Sequence, residues 1–229
     1  MFKYSLLLSI CLPLWLLADV CVFTPPKDWQ CTDPSKLSSH VHICFISQDS
    51  YFFHPSLNLA SEETSLSEEG YIKAVKKIHN DDPSCKWHSL GVFKTAEGKG
   101  HLAEIETGTK FGEAKMLQFI LVKNGCAYIL TGAALKKEFM KYQKDFVAAF
   151  RSLKIKNSLW DFLLPDREAK LRQEYRLLKE GQTSAEKVRQ NRMEQFQNRV
   201  LSEYQELGAY WQILFLKDAY LDCQAIPAQ

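Results

Sequence analysis

The sequence predicts an α+β fold: an antiparallel sheet with helices over its faces, followed by a C-terminal α-helical hairpin. Three observations predict it. Strand-like runs at hairpin spacing fill residues 87–131. Helical periodicities stand before and after that run. Past residue 157 the composition turns to Glu, Gln, Arg, Lys and Leu, which favour helices. The expected organisation is a leader at 1–18, a sandwich domain at 19–156 and a helical extension at 157–229.

The elements follow in order. Val22-Phe23 reads as a short strand stopped by Thr24-Pro25-Pro26, and Val41 to Ile46 as a second. Phe52-Phe53 reads as the start of a third, and Ser56 to Ala60 as an extended run after Pro55. Ser65-Leu66-Ser67-Glu68 fits a capping box with Ser65 as N-cap, opening a helix with Tyr71, Val75 and Ile78 on one face. That helix stops near Asp82-Pro83. Four strands come next: Trp87 to Thr95, Leu102 to Thr107, Lys115 to Val122 and Cys126 to Thr131. Asn124-Gly125 joins the last two, because a two-residue type I′ turn needs positive φ at both central residues. The last two strands are nearly all apolar, as strands covered on both faces are. A closing helix spans about Lys136 to Ser152, with Leu135, Phe139, Tyr142, Phe146 and Ala149 at alternating spacings of four and three. In the extension, one helix runs from Asp166 to Lys179, and Ser184 caps a second from Ala185 to Leu221. Val200, Tyr204, Leu207, Trp211 and Leu214 form a heptad seam along it. Two fates suit that seam: packing on the chain's own first domain, or service as a self-association or partner-docking arm.

The amino terminus carries a second kind of information. Lys3 precedes an uncharged apolar run from Leu6 to Leu17, and Ala18 stands before the first acid, Asp19. That order matches a secretory signal cut after Ala18. The run is shorter than the about 20 apolar residues that span a bilayer, and Pro13 interrupts it. A lipid anchor through Cys21 is the minor alternative. Export gives meaning to the six cysteines that remain, Cys21, Cys31, Cys44, Cys85, Cys126 and Cys223: an even number in an oxidising compartment permits disulfides, and at least one bridge is expected. A hydrophobic content of 46% and an aromatic content of 12% can build a real core. A formal net charge of +2 provides no basic face for nucleic acid and no polybasic membrane signal.

Constellations that could carry chemistry are sparse. His40 and His42 alternate along a strand, but no third ligand accompanies them, and no Cys/His spacing suits zinc. Cys85 and His88 lie three apart without an orienting group. Glu104 and Glu106 suit a solvated sheet face, and Gly98-Lys99-Gly100 is a turn without the Walker pattern. No cofactor and no metal are expected. Trp29, Trp160, Trp211 and Phe215 are the candidate interaction residues, because buried aromatics carry much interface energy.

Several motifs in order resemble the PsbP-like superfamily: Thr24-Pro25-Pro26-Lys27-Asp28-Trp29, Pro55-Ser56-Leu57-Asn58-Leu59, Glu69-Gly70-Tyr71, Ala127-Tyr128-Ile129-Leu130-Thr131, and the closing Tyr142, Phe146, Phe150, Ser152 and Leu153. The resemblance runs from about Val22 to Ile155. That superfamily includes the extrinsic PsbP protein of photosystem II, a yeast Ran-binding protein and bacterial exported relatives. The resemblance implies an α/β/α sandwich without a catalytic centre, acting by docking to other proteins. The helical extension is foreign to the pattern, so no known member's partner transfers.

The expected function is that of an exported, non-enzymatic accessory protein of the bacterial envelope, periplasmic, that docks to an envelope protein or associates with itself through its C-terminal helices. A small-ligand or lipid carrier and a hydrolase are the alternatives. Intact-mass analysis of the exported protein should show a chain beginning near Asp19; a retained Met1 overturns the cleavage.

Overall fold

Short turns between successive strands force antiparallel pairing, and the central meander of the chain exploits this. The computed structural model describes residues 19–33, 37, 40–49, 52–180 and 186–224. The leader 1–18 with its cut after Ala18, and the cap at Ser184, lie outside the described residues. In chain order the first part holds β1 (Val20–Val22), β2 (Gln30–Cys31), β3 (Val41–Ile46), β4 (Ser56–Glu63), α1 (Glu68–Asp81), β5 (Cys85–Thr95), β6 (Gly98–Thr109), β7 (Gly112–Lys123), β8 (Cys126–Leu135), α2 (Phe139–Arg151) and β9 (Lys154–Lys156). Seven strands make one sheet in the order β2-β3-β4-β8-β7-β6-β5. The expected meander is β5 to β8, and Asn124 (φ 53°) and Gly125 (φ 75°) make its last turn, with Lys123 opposite Cys126.

Alternation sorts the side chains of this sheet to two faces. On one face Leu57, Leu59, Leu117, Phe119 and Leu130 are fully buried against Phe139, Tyr142, Phe146 and Phe150 of α2. On the other, Ile120 and Ala127 pack with Tyr71 of α1, and Trp87, Ala103 and Ile105 form a neighbouring cluster. The result is helix, sheet, helix in three layers. The approach of α2 is close. A methyl placed on Gly132 of β8 would meet the Phe146 ring at 2.3 Å, so this ring lies where any side chain would stand.

Several local expectations change. Ser67, not Ser65, caps α1, its hydroxyl accepting from the Gly70 amide at 3.2 Å. Glu68 is therefore the first helical residue instead of the third, and Ile78 turns outward. Phe52-Phe53 forms a bend, not a strand, because Pro55 delays pairing until Ser56. An unexpected two-stranded ribbon pairs β1 with β9, Cys21 opposite Ile155.

The largest difference lies in the extension. A single 3₁₀ turn at Trp160–Phe162 leads into α3 (Pro165–Glu180), with proline at the first helical position, where its missing N–H costs nothing. The expected long helix is broken: α4 (Glu186–Glu203) ends, a 3₁₀ turn spans Gln205–Leu207, and α5 (Gly208–Gln224) begins. Gly208 takes φ +83°, ψ 158°, a conformation closed to side-chain-bearing residues. The last carbonyls of α4 find side-chain donors nearby. The Gln212 amide donates to Val200 and Leu201 at 3.1 and 3.2 Å, and Arg167 donates to the Glu203 carbonyl. The seam residues Val200, Tyr204 and Trp211 are fully buried inside the chain. The C-terminal hairpin is thus an up-down-up set of three helices. Its aromatic face joins the sandwich through Tyr210, whose ring lies 5.3 Å from Phe23 and 6.4 Å from Phe45.

Gly132→Ala should lower unfolding free energy by about 1–3 kcal/mol, the usual cost of overpacking. Gly108→Ala, which meets open space, should change it by less than about 0.5 kcal/mol. Urea denaturation of both variants checks the pair; equal losses would mean that Phe146 does not set the height of α2.

Candidate functional site

The polar constellations nominated by the sequence are dispersed or satisfied locally. His40 lies in the turn before β3, while the His42 ring meets the Ser61 hydroxyl at 2.6 Å. Among the described residues no group of three His, Cys, Asp or Glu side chains is gathered to hold a metal ion. Cys85 does not face His88, since the register places them opposite Thr107 and Glu104, on opposite faces of the sheet. Its sulfur instead lies 3.4 Å from Nδ1 of His79 on α1. Burial, helped by Asp82, raises the Cys85 thiol above its ordinary range, which is the reverse of nucleophile activation. Glu104 pairs with Lys115 at 2.8 Å and Glu106 with Lys136 at 2.8 Å, so both carboxylates sit in ion pairs on the sheet face.

Among the described residues none of the six cysteines is joined in a disulfide, contrary to the expected bridge. For Cys31 and Cys44 the fold explains why. Cys31 stands opposite Phe45, so the neighbouring Cys44 points to the other face of the sheet. Cys21 lies in the ribbon strand β1, Cys223 in the last turns of α5. Burial, with Cys126, Glu97 and Asp19 around it, pushes the Cys21 thiol far up, while Cys31 is exposed.

The four aromatic residues proposed as anchors come to lie in two places. Trp29 covers α2, its ring 6.1 Å from both Tyr142 and Phe146. Trp160, Trp211 and Phe215 meet where the extension joins the sandwich. Trp211 and Phe215 stack at 4.8 Å, and Trp160 stands edge-on to Phe215 at 5.0 Å. The Trp211 indole donates to the Leu159 carbonyl at 2.9 Å. Trp211 and Phe215 are buried; Trp29 and Trp160 keep part of their surface.

Beside this junction lies a cavity of about 890 Å³, inside the roughly 300–1,000 Å³ range of small-molecule sites. Its apolar lining comes from Val20, Leu159, Trp160, Phe215 and Leu221. The α3 helix supplies Arg172, Arg176, Lys179 and Glu180, and α5 supplies Asp218 and Asp222. Arg172 lays its guanidinium over the Trp160 ring at 4.3 Å and donates through Nε to Glu168 at 2.7 Å. Asp222 accepts from the Tyr175 hydroxyl at 2.8 Å and from Lys179 at 3.1 Å, and these hydrogen bonds hold its carboxyl below the ordinary range. Asp218 is shifted the other way, by burial and by Asp222. Four separate segments build this cavity, and no spacing in the sequence could have announced it.

A second surface stands at one end of the sandwich. Phe52 is 77% exposed, Met140 73% and Phe111 44%. Phe53 reaches Phe111 at 6.3 Å, and the Lys136 amide donates to the Glu113 carbonyl at 2.9 Å, drawing the β6–β7 tip toward the start of α2.

Thiol labelling should find Cys31 reacting first in the folded protein and Cys21 only on unfolding, with all six reactive after denaturation without reductant. Fewer than six would restore the disulfide expectation.

No family model matches the chain, and no curated protein matches it. Solved structures do. LpqN of Mycobacterium tuberculosis, involved in cell envelope biogenesis, is similar at 11% identity and TM-score 0.47, over 61% of this chain and 84% of that one. The cyanobacterial PsbP of Synechocystis sp. PCC 6803 is similar at 11% identity and TM-score 0.41, over 65% and 98%. The Ran-binding protein Mog1p of Saccharomyces cerevisiae is similar at 11% identity and TM-score 0.41, over 58% and 89%. The last two are of the kinds that the sequence motifs resemble.

Proposed function

We propose that this chain is an exported, non-enzymatic accessory protein of the bacterial cell envelope, periplasmic, that works by docking to another envelope protein. The observation that carries the reading is the exposed apolar end formed by Phe52, Phe111 and Met140. Three large exposed apolar side chains come from three segments that the Phe53–Phe111 contact and the Lys136–Glu113 hydrogen bond tie together among the described residues, whereas Trp211 and Phe215 are consumed in the chain's own core. Exposed clusters of this kind mark interaction surfaces. The basic start and apolar run before Ala18 support export. Self-association through the C-terminal helices would use the outward Leu177, Leu201 and Ile213 instead of the buried seam.

The combined variant Phe52→Ser, Phe111→Ser, Met140→Ser should bind the partner captured from the native envelope fraction about tenfold or more weakly. Its thermal midpoint should stay within a few degrees of the parent, because Phe52 and Met140 bury little and Phe111 lies outside the main core clusters. Capture at unchanged strength overturns the assignment of the surface.

One observation favours a second reading, that of a small-ligand carrier: the cavity between the sandwich and the extension has the size and the largely apolar lining of a ligand site.

A further inference from the structure

The geometry points to an amphiphile with an acidic head as the ligand of the junction cavity, its apolar body lying along Val20, Leu159, Trp160, Phe215 and Leu221 and its head held by Arg172 and Arg176. This rests on the carrier reading above and gives it a ligand class.

The lining decides the apolar part. Five apolar side chains drawn from β1, the 157–160 segment and α5 face one space, and a chain or flat ring entering it leaves water for hydrocarbon and aromatic walls.

The head group follows from which charges remain free. Lys179 is already committed to Asp222, and Asp222 also holds the Tyr175 hydroxyl. Among the described residues Arg172 uses only Nε, on Glu168, and its stacking on Trp160 fixes the plane of the guanidinium. Arg176 is nearest to Glu180 at 3.9 Å, beyond hydrogen-bond reach, so its five N–H donors are unspent among the described residues. Residues 172 and 176 are one helical turn apart, which sets two planar donor forks on the same face of α3. Guanidinium forks take carboxylate and phosphate in paired hydrogen bonds. The competing charges are Asp218 across the cavity and Glu180, 3.9 Å from Arg176, which would recruit an ammonium head. Carboxylates without a ring of aromatic faces around the cation are the weaker recruiters. The aromatic rings that could cage a cation are packed edge-on or tilted against one another at 5.0–5.9 Å, with Arg172 and Lys179 already over two of them.

The test is titration calorimetry on the protein as purified after export, with four twelve-carbon ligands below their micelle concentrations: dodecanoate, dodecyl phosphate, dodecanol and dodecyltrimethylammonium. Dodecanoate and dodecyl phosphate should bind one to one, about tenfold or more tightly than the other two. The ratio between these two separates a fatty-acid source from a phospholipid one. Arg176→Glu should remove that preference while leaving dodecanol binding and the thermal midpoint unchanged, since Arg176 is 68% exposed. Asn157→Trp, which fills the cavity mouth from an exposed position, should abolish binding of all four. Equal affinity for every head, or preference for the ammonium, overturns the acidic-head assignment and leaves the carrier reading standing. Binding that survives Asn157→Trp, or no saturable binding of any ligand, overturns both.

Discussion

The contact between the Phe146 ring and Gly132 governs the heights of the layers. β8 is paired on both edges, with β4 and β7, and covered on both faces. A helix lying over such a strand normally stands off by the length of two side chains. Here one of the two is missing, and the ring fills its place. Phe150 can then stack on Phe119, Trp29 can lie over Phe146, and Phe93 can bridge from β5. The aromatic core is a consequence of that one close approach, and it leaves a second aromatic group free to build the junction with the extension.

The extension depends in turn on a break. A continuous helix from α4 through α5 would carry Tyr204 and Trp211 away along a straight axis. The turn at 204–208 folds α5 back, and α3 and α5 then run side by side, as the pairs Arg167–Glu206 and Lys179–Asp222 show. The cavity is the space that remains where this fold-back meets β1 and the segment after β9. Architecture and candidate site therefore share one cause.

Much of the sandwich was legible in the sequence. Asn124-Gly125, the apolar β7 and β8, and the four-three spacing of α2 each follow from a local rule, and local rules suffice where turn chemistry and periodicity agree. The features that escaped are non-local. β9 is three residues long and is defined by its distant partner β1. The heptad seam from Val200 to Leu214 predicted one helix because Gly208 lowers helix propensity only modestly, whereas the tertiary donors Gln212 and Arg167 make ending the helix favourable. The shift from Ser65 to Ser67 reflects two serines that both fit a cap, decided by which amide is within reach. The cavity escaped for the same reason as β9: its walls come from four segments.

The ribbon of β1 and β9 carries a consequence for the order of assembly. The Thr24 amide binds the Ser152 hydroxyl 128 positions away, and Val20 waits for Lys156. A chain that lengthens or emerges from its amino end therefore presents its first strand long before a partner for it exists. Closing so long a loop is an entropic toll levied late, when nearly all of the sandwich has been delivered. The amino-terminal strand acts as a latch that only a nearly finished molecule can shut.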